Sequence, residues 1–281
     1  MANFSGKLNT IAQNTDSYLK SVFSKQNSKS YLIKPMKYGV FSGGKRFRSA
    51  IVVNTGKIFG IDYKKLIIIG AAVECLHSYS LMHDDLPSMD NDDLRRGRLS
   101  THKKFNEFTA ILAGNSLLTL AFEILSGSDL KVSQKIKGEL IRVLSNCSGH
   151  SGLAGGQYSD LTFENKNISK KNIINMQKKK TGELFGFCCE SVALINEENI
   201  KKRKLLREIG LQIGLLFQIV DDLIDYKGDS AIVGKPTKSD EKKGKATLVN
   251  LLGYSETLNF AKTIKKKLDQ QIKKYGIKAN D

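Results

Sequence analysis

The residues with the clearest chemical potential lie in one stretch, 80–98, with the sequence SLMHDDLPSMDNDDLRRGR. Its aspartates are interleaved with apolar residues, and Arg95, Arg96 and Arg98 follow directly. Closely spaced carboxylates repel one another unless a cation lies between them. Mg2+ takes oxygen ligands and shares them with substrate phosphates, and arginines bind the same phosphates through the guanidinium fork. The simpler alternative is a solvated acidic loop with a basic end.

A second carboxylate cluster, Asp221, Asp222 and Asp225, lies far along the chain in FQIVDDLIDYKGD. On an α-helix, with about 100° per residue, these aspartates and Gln218 fall within an arc of about 100°. The apolar residues around them predict that the segment is largely buried, and buried carboxylates need partners. A metal-binding stripe therefore explains the segment better than a solvated face does.

A glycine-rich basic segment, SGGKRFRS at residues 42–49, is a candidate anion site. Gly43 and Gly44 permit tight backbone geometry, so that two or three of the cations Lys45, Arg46 and Arg48 could converge. A loop with solvated basic residues is the alternative.

Other polar residues are weaker candidates. His77 precedes Asp84 by seven residues, which places it about 20° away on the same helix face. In KKKTGELF, Lys180 and Thr181 could hold a phosphate, although an ordinary helix face is equally compatible. GHSGLAGGQYSD, at residues 149–160, permits close helix approach or a kink. Residues 228–244 are polar and lysine-rich, and could close over a phosphate site as a lid.

Apolar periodicity predicts the helices that must position these residues. Helices are expected within residues 1–34, in 51–82 with a break near Gly60 and Asp62, and in 109–125, 136–147, 173–195, 205–226, 247–252 and 256–275. Residues 109–125 have the small residues of a tightly packed central helix. Pro87 should disturb the helix just after Asp85. We find no useful strand pattern, repeat or linker, and predict a single all-α domain over residues 1–281.

Composition limits the class of protein. The chain has 281 residues and is 40% apolar, enough for a sizeable core. No run of about 18 apolar residues is free of charge, which predicts no stable membrane insertion. Residues 1–13 lack the pattern of a secretory signal, so we expect a cytoplasmic protein. The four cysteines have no metal-ligand spacing and are expected to be buried free thiols.

The formal net charge of +17 permits binding to nucleic acid, acidic membranes or small polyanions. Much of the lysine lies in dispersed runs of the kind found on solvated helix faces. No nucleic-acid-binding motif or interleaved aromatic residue accompanies the charge. We therefore expect no nucleic-acid partner and keep a basic nucleic-acid-binding protein as the distant alternative.

Taken together, these motifs resemble those of the polyprenyl diphosphate synthase family of trans-prenyltransferases, over residues 34–252. DDLPSMDNDDLRRGR is similar to its first aspartate-rich motif, in the form with four residues between the DD pair and the next Asp, and DDLID is similar to the second. GGKRFR, GGQ, KTG and FQIVDD occur in the family's order. The resemblance implies an isoprenoid-synthase-type bundle of long antiparallel helices around a central cavity, with the two motifs facing each other across its mouth.

The resemblance also implies a reaction. Isopentenyl diphosphate would condense head-to-tail with dimethylallyl or geranyl diphosphate, giving farnesyl diphosphate and diphosphate. The cofactor would be Mg2+, with three ions when substrate is bound and Mn2+ able to substitute. The departing diphosphate can accept the proton that is lost, so no protein base is assigned. A homodimer is what the family implies.

Residue roles follow from the resemblance motif by motif. The implied metal ligands are Asp84, Asp85, Asp90, Asp221, Asp222 and Asp225. The implied contacts to the allylic substrate are Arg95, Lys180, Thr181, Gln218, Lys235 and Lys245. The implied contacts to isopentenyl diphosphate are Lys45, Arg48, His77 and Arg96, and Gly44 is counted with the substrate-binding residues. The catalytic set is Asp84, Asp85, Arg95, Lys180, Asp221 and Lys235.

Product length is expected to depend on Tyr79 and Ser80, five and four residues before Asp84. In the family a bulky residue at the earlier position stops growth at short chains, so Tyr79 favours the C15 product over C20. A geranylgeranyl diphosphate synthase is the nearest alternative. GGKRFR with His77 argues against a terpene cyclase, and two complete aspartate motifs argue against a non-catalytic subunit.

Two departures from the family pattern stand out. Ser49 occupies a position where proline is frequent after GGKRxR, which leaves the cations intact. The sequence ends in IKAND where relatives usually continue through one more helix, so that the protein is either naturally short or truncated, and the sequence does not predict how the site is closed at this end.

Overall fold

The computed structural model describes residues 4–26, 29–227 and 243–279, and their regular structure is almost entirely helical. The chain is divided into two compact units, one ending at Ile141 and the other beginning at Arg142. The predicted all-α class is confirmed. The expectation of a single domain stays a prediction.

The first unit is built around one buried helix. Its elements are α1 (Phe4–Lys25), α2 (Ile33–Val40), α3 (Phe47–Ile58), α4 (Tyr63–Asp84), β1 (Leu94–Arg95), β2 (Arg98–Leu99), α5 (Thr101–Lys104) and α6 (Glu107–Ser126), and α7 (Gln134–Ser148) contains the boundary between the units. Helix α4 contacts α1, α3 and α6, and its residues 66–76 are all buried. Each large apolar side chain buried in this way contributes about 1.5–3 kcal/mol.

Both ends of α4 follow from local sequence. Gly60 has a φ of 69°, and the carboxylate of Asp62 accepts hydrogen bonds from the Lys64 and Lys65 amides at 3.1 and 3.2 Å, as an N-cap does. The predicted break near Gly60 and Asp62 is therefore confirmed. The helix ends at Asp84, because Pro87 cannot donate the hydrogen bond that would continue it.

Strands β1 and β2 form a small antiparallel hairpin in which Arg95 pairs with Arg98. The two turn residues, Arg96 and Gly97, have φ values of 54° and 73°. Two consecutive positive φ angles are the pattern of a type I′ turn, whose twist suits a hairpin. The strands have two residues each, too short for any alternation of residue types to be visible in the sequence.

Helix α6 differs from the tightly packed helix that the sequence predicted. Ala113 and Leu117 are buried, but Phe108, Ile111 and Leu112 are 65%, 40% and 48% exposed. One face of the helix, which carries both small residues and large ones such as Leu120 and Leu125, is buried, while Phe108, Ile111 and Leu112 lie on the exposed side. Among the described residues, α4 and α6 are both long and apolar enough to cross a membrane by length and composition alone; α4 buries 78% of its apolar window and α6 buries 44%.

The second unit is centred on α11, which contacts α10 and α13. Its elements are α8 (Leu153–Thr162), α9 (Lys170–Gln177), a π-helix (Lys178–Gly182), α10 (Glu183–Ile195), α11 (Ile200–Lys227), α12 (Leu248–Leu252), α13 (Tyr254–Ile272) and a 3-10 helix (Lys273–Ala279). The four cysteines of the chain are all buried and free, as predicted.

The π-helix interrupts what the sequence predicted as one helix over residues 173–195. Close packing of backbones surrounds it: a Cβ atom on Gly214 would lie 2.6 Å from Gly182 Cα, and one on Gly156 would lie 2.1 Å from Lys180 N. Glycines on α8 and α11 thus let both helices approach the wide turn. Single π turns inside α-helices are frequent at functional sites.

Candidate active site

The first aspartate cluster is gathered where α4 ends. Asp84 is the last residue of the helix, and the backbone amide of Asp90 donates to the Asp84 carbonyl at 2.9 Å. The amide of Asp92 donates to the Asp85 carbonyl at 3.2 Å. The turn after Pro87 therefore brings Asp90 back beside Asp84, as expected of two residues that serve the same ion.

Arg95 pairs with the most buried carboxylate of this cluster. Asp85 is 2% exposed, and Arg95 Nε donates to Asp85 Oδ1 at 2.9 Å, with a second contact from Nη2 to the same oxygen. Arg95 Nη2 also lies 3.4 Å from Asp92 Oδ2. Burial raises the pKa of Asp85, although the Arg95 guanidinium opposes that shift. The hairpin thus places Arg95, a predicted phosphate-binding residue, in direct contact with Asp85, a predicted metal ligand.

Arg96 connects the hairpin to the basic segment that precedes α3. Its guanidinium donates to the Gly43 carbonyl, and a Cβ atom on Gly44 would collide with that guanidinium. Gly43 and Gly44 have φ values of 93° and 118°, which L side chains rarely adopt. The paired glycines therefore serve both the backbone turn and the close approach of Arg96.

His77 lies half-buried on α4 in a strongly cationic environment. Burial, followed by Arg48 and Arg96, lowers its pKa well below the usual value. This direction of the pKa shift favours the neutral imidazole at pH 7. The structure brings together three of the residues predicted to hold isopentenyl diphosphate, and Lys45 is exposed on the adjoining loop.

Arg46, the middle cation of the basic segment, has a structural environment instead. It is 4% exposed, and its Nε donates to Asp16 Oδ1 at 2.8 Å. Nη2 donates to the Val40 carbonyl at 2.7 Å, and Nη1 lies 3.6 Å from Glu74 Oε2. Because the Arg46 side chain is buried in these contacts, Lys45 and Arg48 are the residues of this segment that remain candidates to bind an anion.

Ser49 uses hydrogen-bonding groups that proline would lack. Its backbone amide donates to Glu74 Oε1 at 3.2 Å, and its hydroxyl lies 2.7 Å from the hydroxyl of Thr15. Ser49 is fully buried. In this chain the residue after GGKRFR therefore links α3 to α1 and α4 through polar contacts.

The two predicted chain-length residues lie on α4 one turn before the aspartates. The Tyr79 ring is half-buried and packs edge-on against His83, with centroids 4.7 Å apart. His83 Nε2 lies 3.1 Å from the Ile111 carbonyl on α6. Ser80 is buried, and its hydroxyl donates to the His77 carbonyl at 2.9 Å. Tyr79 is thus held in place through an α6 contact.

In the second unit a continuous hydrogen-bond chain joins the π-helix to the second aspartate cluster. The Thr181 hydroxyl donates to Gln218 Oε1 at 2.8 Å, and Gln218 Nε2 donates to Asp222 Oδ1 at 2.8 Å. Gln177 Nε2 donates to Asp222 Oδ2 at 2.7 Å. Both oxygens of Asp222 therefore accept amide hydrogens, which orients Gln218 and Thr181. The assignment of Asp222 as a metal ligand stays a prediction.

The surroundings of this cluster differ from the largely buried segment that the sequence indicated. Asp222 and Asp225 are buried and Asp221 is half-buried, but Phe217, Val220 and Ile224 are 38%, 41% and 41% exposed. These three residues recur at helical spacing along one face of α11. The correction is that an exposed apolar stripe accompanies the carboxylates, because apolar composition alone does not separate a core face from a ligand-contacting face.

Two lysines predicted to bind the allylic substrate share one carboxylate. Lys180 Nζ and Lys245 Nζ lie 2.7 and 3.0 Å from the same oxygen of Asp160, Oδ2. Lys245 Nζ also lies 2.8 Å from Glu164 Oε1. The other lysine of this group, Lys235, lies outside the described residues, as does most of the predicted lid over residues 228–244.

The donor atoms suit Mg2+ better than a softer metal. The predicted ligands are all carboxylates, and no group of three or more His, Cys, Asp or Glu residues within the described ranges forms a ready-made metal cage. Mg2+ typically uses one or two carboxylates and keeps waters or substrate phosphates for its remaining positions. Each aspartate cluster, taken by itself, therefore fits an ion that binds together with a diphosphate.

Sequence reasoning missed the supporting residues Gln177 and Glu164 and gave no role to Asp160. All three act through partners far away in sequence, and only the proximity of Asp160 to the GGQ motif hinted at its location. Gln157, one turn before Asp160, is 5% exposed, and its amide nitrogen and oxygen have no hydrogen-bond partner among the described residues. A buried amide without partners costs about 1–3 kcal/mol, so this face of α8 is suited to a polar ligand.

Comparison with known proteins identifies the same family over most of the chain. The polyprenyl synthetase family model matches residues 29–279. The chain is 39% identical over 252 residues to the farnesyl diphosphate synthase of Escherichia coli strain K12, covering 89% of this chain and 84% of that protein.

Solved structures agree with the sequence comparison. An FPP/GFPP synthase from Zymomonas mobilis, in its apo form, has a TM-score of 0.85 and 35% identity over 99% of this chain and 95% of its own. A geranyltransferase from Helicobacter pylori, complexed with magnesium and isoprenyl diphosphate, has a TM-score of 0.81 and 32% identity over 95% of this chain and 90% of its own.

Proposed function

The chain belongs to the polyprenyl synthetase family, and we propose that it condenses isopentenyl diphosphate with dimethylallyl or geranyl diphosphate to give farnesyl diphosphate and diphosphate. The observation that carries the proposal is the end of α4, where Asp84, Asp85 and Asp90 are gathered and Arg95 contacts Asp85. Without ligand, the Arg95 guanidinium neutralises the Asp85 carboxylate. With Mg2+ and diphosphate bound, the metal would neutralise the carboxylate and the diphosphate would neutralise the guanidinium.

The chain's own residues supply charge stabilisation for the first step. The C1–O bond of the allylic diphosphate breaks, leaving an allylic cation and a diphosphate anion. When bound, Mg2+ supplies positive charge that stabilises this leaving group. In the first unit Asp84, Asp85 and Asp90 would hold metal, and in the second unit Asp221 would hold a further ion. Arg95, Lys180 and Lys245 would donate hydrogen bonds to the diphosphate as its charge develops.

The second step forms the new carbon–carbon bond. The alkene of isopentenyl diphosphate attacks C1 of the cation, and a proton is then lost to the departing diphosphate. Arg48 and Arg96 would bind the isopentenyl diphosphate, and neutral His77 would donate a hydrogen bond to it. The exposed apolar stripe of Phe217, Val220 and Ile224 offers a hydrocarbon surface beside the carboxylates, which favours exclusion of water from the cation.

The finer details belong to the same proposal. We infer that three Mg2+ ions accompany the allylic substrate and that Mn2+ can substitute. Tyr79, braced against His83, favours a C15 product, with C20 as the alternative. The expected setting is the cytoplasm, without a nucleic-acid partner or stable membrane insertion.

We also infer a homodimer that buries the exposed face of α6. Phe108, Ile111 and Leu112 recur at helical spacing, so they form one apolar surface along the helix. A second copy of the chain would cover this surface. Burying large apolar side chains in this way is the main source of stability in obligate dimers.

A product assay tests the function directly. Purified protein is incubated with Mg2+, labelled isopentenyl diphosphate and a C5 or C10 allylic diphosphate, and the dephosphorylated products are separated by length. A dominant C15 alcohol is expected, and a C20 alcohol would retain the reaction while excluding Tyr79 as the stop. Absence of any elongation, together with salt-sensitive retention on DNA, would overturn the proposal in favour of a nucleic-acid-binding protein.

A further inference from the structure

Asp160 is a buried carboxylate between two cations that approach from different parts of the chain. It lies on α8 and is 6% exposed, while Lys180 comes from the π-helix and Lys245 from the segment before α12. Both ammonium groups donate to Asp160 Oδ2, at 2.7 and 3.0 Å. Glu164 adds a second carboxylate at this point, 2.8 Å from Lys245 Nζ.

Asp160 is ionised when it holds these lysines. Burial by itself would raise the pKa of Asp160, but Lys180 and Lys245 outweigh that effect and hold the pKa below its ordinary value. An ionised carboxylate allows two ammonium groups to lie close together, which their mutual repulsion would otherwise oppose. Lys245 is 8% exposed and pairs with both Asp160 and Glu164, because a buried ammonium keeps its proton only when carboxylates neutralise its charge.

Backbone contacts fix both lysine-bearing segments to α8 on either side of Asp160. On one side, Gly156 lets α8 approach the Lys180 backbone so closely that a Cβ atom would lie 2.1 Å from Lys180 N. On the other side, the Asn165 amide donates to the Gly244 carbonyl at 2.9 Å. One segment therefore packs against α8 at Gly156, and the other is held by Asn165 just after α8 ends, with Asp160 between these two positions in the sequence.

We propose that Asp160 is a positioning residue that gathers Lys180 and Lys245 into one paired-cation site for the diphosphate of the allylic substrate. This role rests on the proposed prenyl transfer, since the same two lysines would stabilise the leaving group. An ammonium has three N–H donors. Asp160 accepts one from each lysine and Glu164 accepts one from Lys245, so these carboxylates fix the orientation of the two ammonium groups relative to each other. Gln157, on the same face of α8, has the buried amide described above.

Asp160→Asn tests this role because it removes the charge and nearly preserves the shape. We expect kcat with a saturating allylic substrate to fall about 10- to 100-fold, with the KM for isopentenyl diphosphate unchanged. The alkaline limb of the kcat/KM profile should move to lower pH, because the lysines lose the carboxylate that sustains their protonation. Asp160→Glu keeps the charge, so its alkaline limb should stay at the wild-type pH and part of kcat should return.

Asp269→Asn is the matched control, since Asp269 accepts from Lys265 at 2.6 Å on the exposed face of α13 and should affect neither value. A superimposable alkaline limb in Asp160→Asn would overturn the proposal. So would tighter binding of the allylic substrate with kcat unchanged, because Asp160 would then be only a competing counter-ion. If Asp160→Asn does not fold, the position of the alkaline limb in Asp160→Glu decides, and a shift there would contradict the proposal.

The positioning role and the proposed reaction can fail separately. If the wild-type protein does not elongate any allylic diphosphate, prenyl transfer is excluded. Binding of inorganic diphosphate with Mg2+, measured by calorimetry, then tests Asp160 alone. A loss of at least about tenfold in affinity in Asp160→Asn, and not in Asp269→Asn, would support positioning of the two lysines. Equal or tighter binding would overturn it.

Discussion

Arg95 Nε lies 2.9 Å from Asp85 Oδ1, so a cation expected to bind diphosphate is paired with a carboxylate expected to bind Mg2+. The pair stabilises a carboxylate that is otherwise costly to bury. When metal and diphosphate bind together, the Arg95–Asp85 contact would be replaced by a contact of Asp85 with Mg2+ and a contact of Arg95 with diphosphate. Metal without diphosphate would have to displace Arg95 with no compensating contact for the guanidinium.

Arg95→Gln should therefore have opposite effects on metal binding and on catalysis. Affinity for Mg2+ alone should rise several-fold, because Asp85 no longer has a cationic competitor, while kcat should fall about 100-fold through loss of charge stabilisation. Calorimetry and the elongation assay measure the two quantities. Arg98→Gln is the control: Arg98 lies 4.5 Å over the Tyr38 ring and should change neither. Weaker Mg2+ binding in Arg95→Gln would contradict the competition.

His77 should make the fold sensitive to mild acid. Its pKa is lowered by burial and by Arg48 and Arg96, so between that pKa and about 6.5 the unfolded chain binds more protons than the folded one. Stability then rises with pH in this window and is lost as pH falls below about 6.5. Melting temperatures from pH 7.5 to 5 should fall less steeply in His77→Asn than in wild type. Exposed His150→Asn should retain the wild-type slope, and parallel curves for all three proteins would refute the assignment.

Tyr79→Ala should lengthen the product. The Tyr79 ring fills space beside His83, and its removal leaves room for further isoprene units. Chain-length analysis should show a shift from C15 towards C20 or longer. Tyr31→Ala, at a tyrosine that is 96% exposed, should leave the products unchanged. An unaltered product distribution in Tyr79→Ala would place the stop elsewhere.

Gly156→Ala should disturb the π-helix directly. The added Cβ would lie 2.1 Å from Lys180 N, an overlap with backbone that should cost about 1–3 kcal/mol of unfolding free energy and displace Lys180. Gly138→Ala is the matched control in α7, because nothing lies within 4 Å of its added Cβ, and it should stabilise by up to about 1 kcal/mol. Denaturant unfolding and the KM for the allylic substrate report the two effects. Equal stability of the two variants would argue against the close approach of α8.

Leu112→Glu should dissociate the inferred dimer. A charge in the middle of the exposed α6 surface would have to be desolvated on association, which costs several kcal/mol. Sedimentation should show a monomer at concentrations where the wild type is dimeric. Leu205→Glu, which replaces a comparably exposed leucine on α11, should leave the dimer intact. A wild-type protein that sediments as a monomer would exclude the dimer itself.

Local sequence predicted the two ends of α4. Gly60 and Asp62 bracket the start of α4, and Pro87 follows its end, because caps and breakers act within a few residues. Arg46 shows the limit of this reasoning: its sequence neighbours are candidate phosphate ligands, yet Asp16 and Glu74 draw it inward. Partners that are distant in sequence leave no local pattern.

The same limit explains the exposed apolar faces. Residues 109–125 have the composition of a buried helix, and the structure buries only one side of it. A hydrophobic face that contacts a substrate or another subunit has the same composition as one that contacts the core. The sequence therefore predicted the helix and its apolar character, but not which surface covers each face.

The π-helix over Lys178–Gly182 determines the rotation of α10 about the helix axis relative to α9. Deleting one residue there would restore regular α-helical hydrogen bonding, and would turn α9 relative to α10 by about 100°. The deletion variant would gain a more regular helix and lose the alignment of Thr181 with Gln218. The wide turn therefore gives up regular helical hydrogen bonding and keeps Thr181 in contact with Gln218, so that local helix stability and the geometry of the candidate site place opposite demands on this segment.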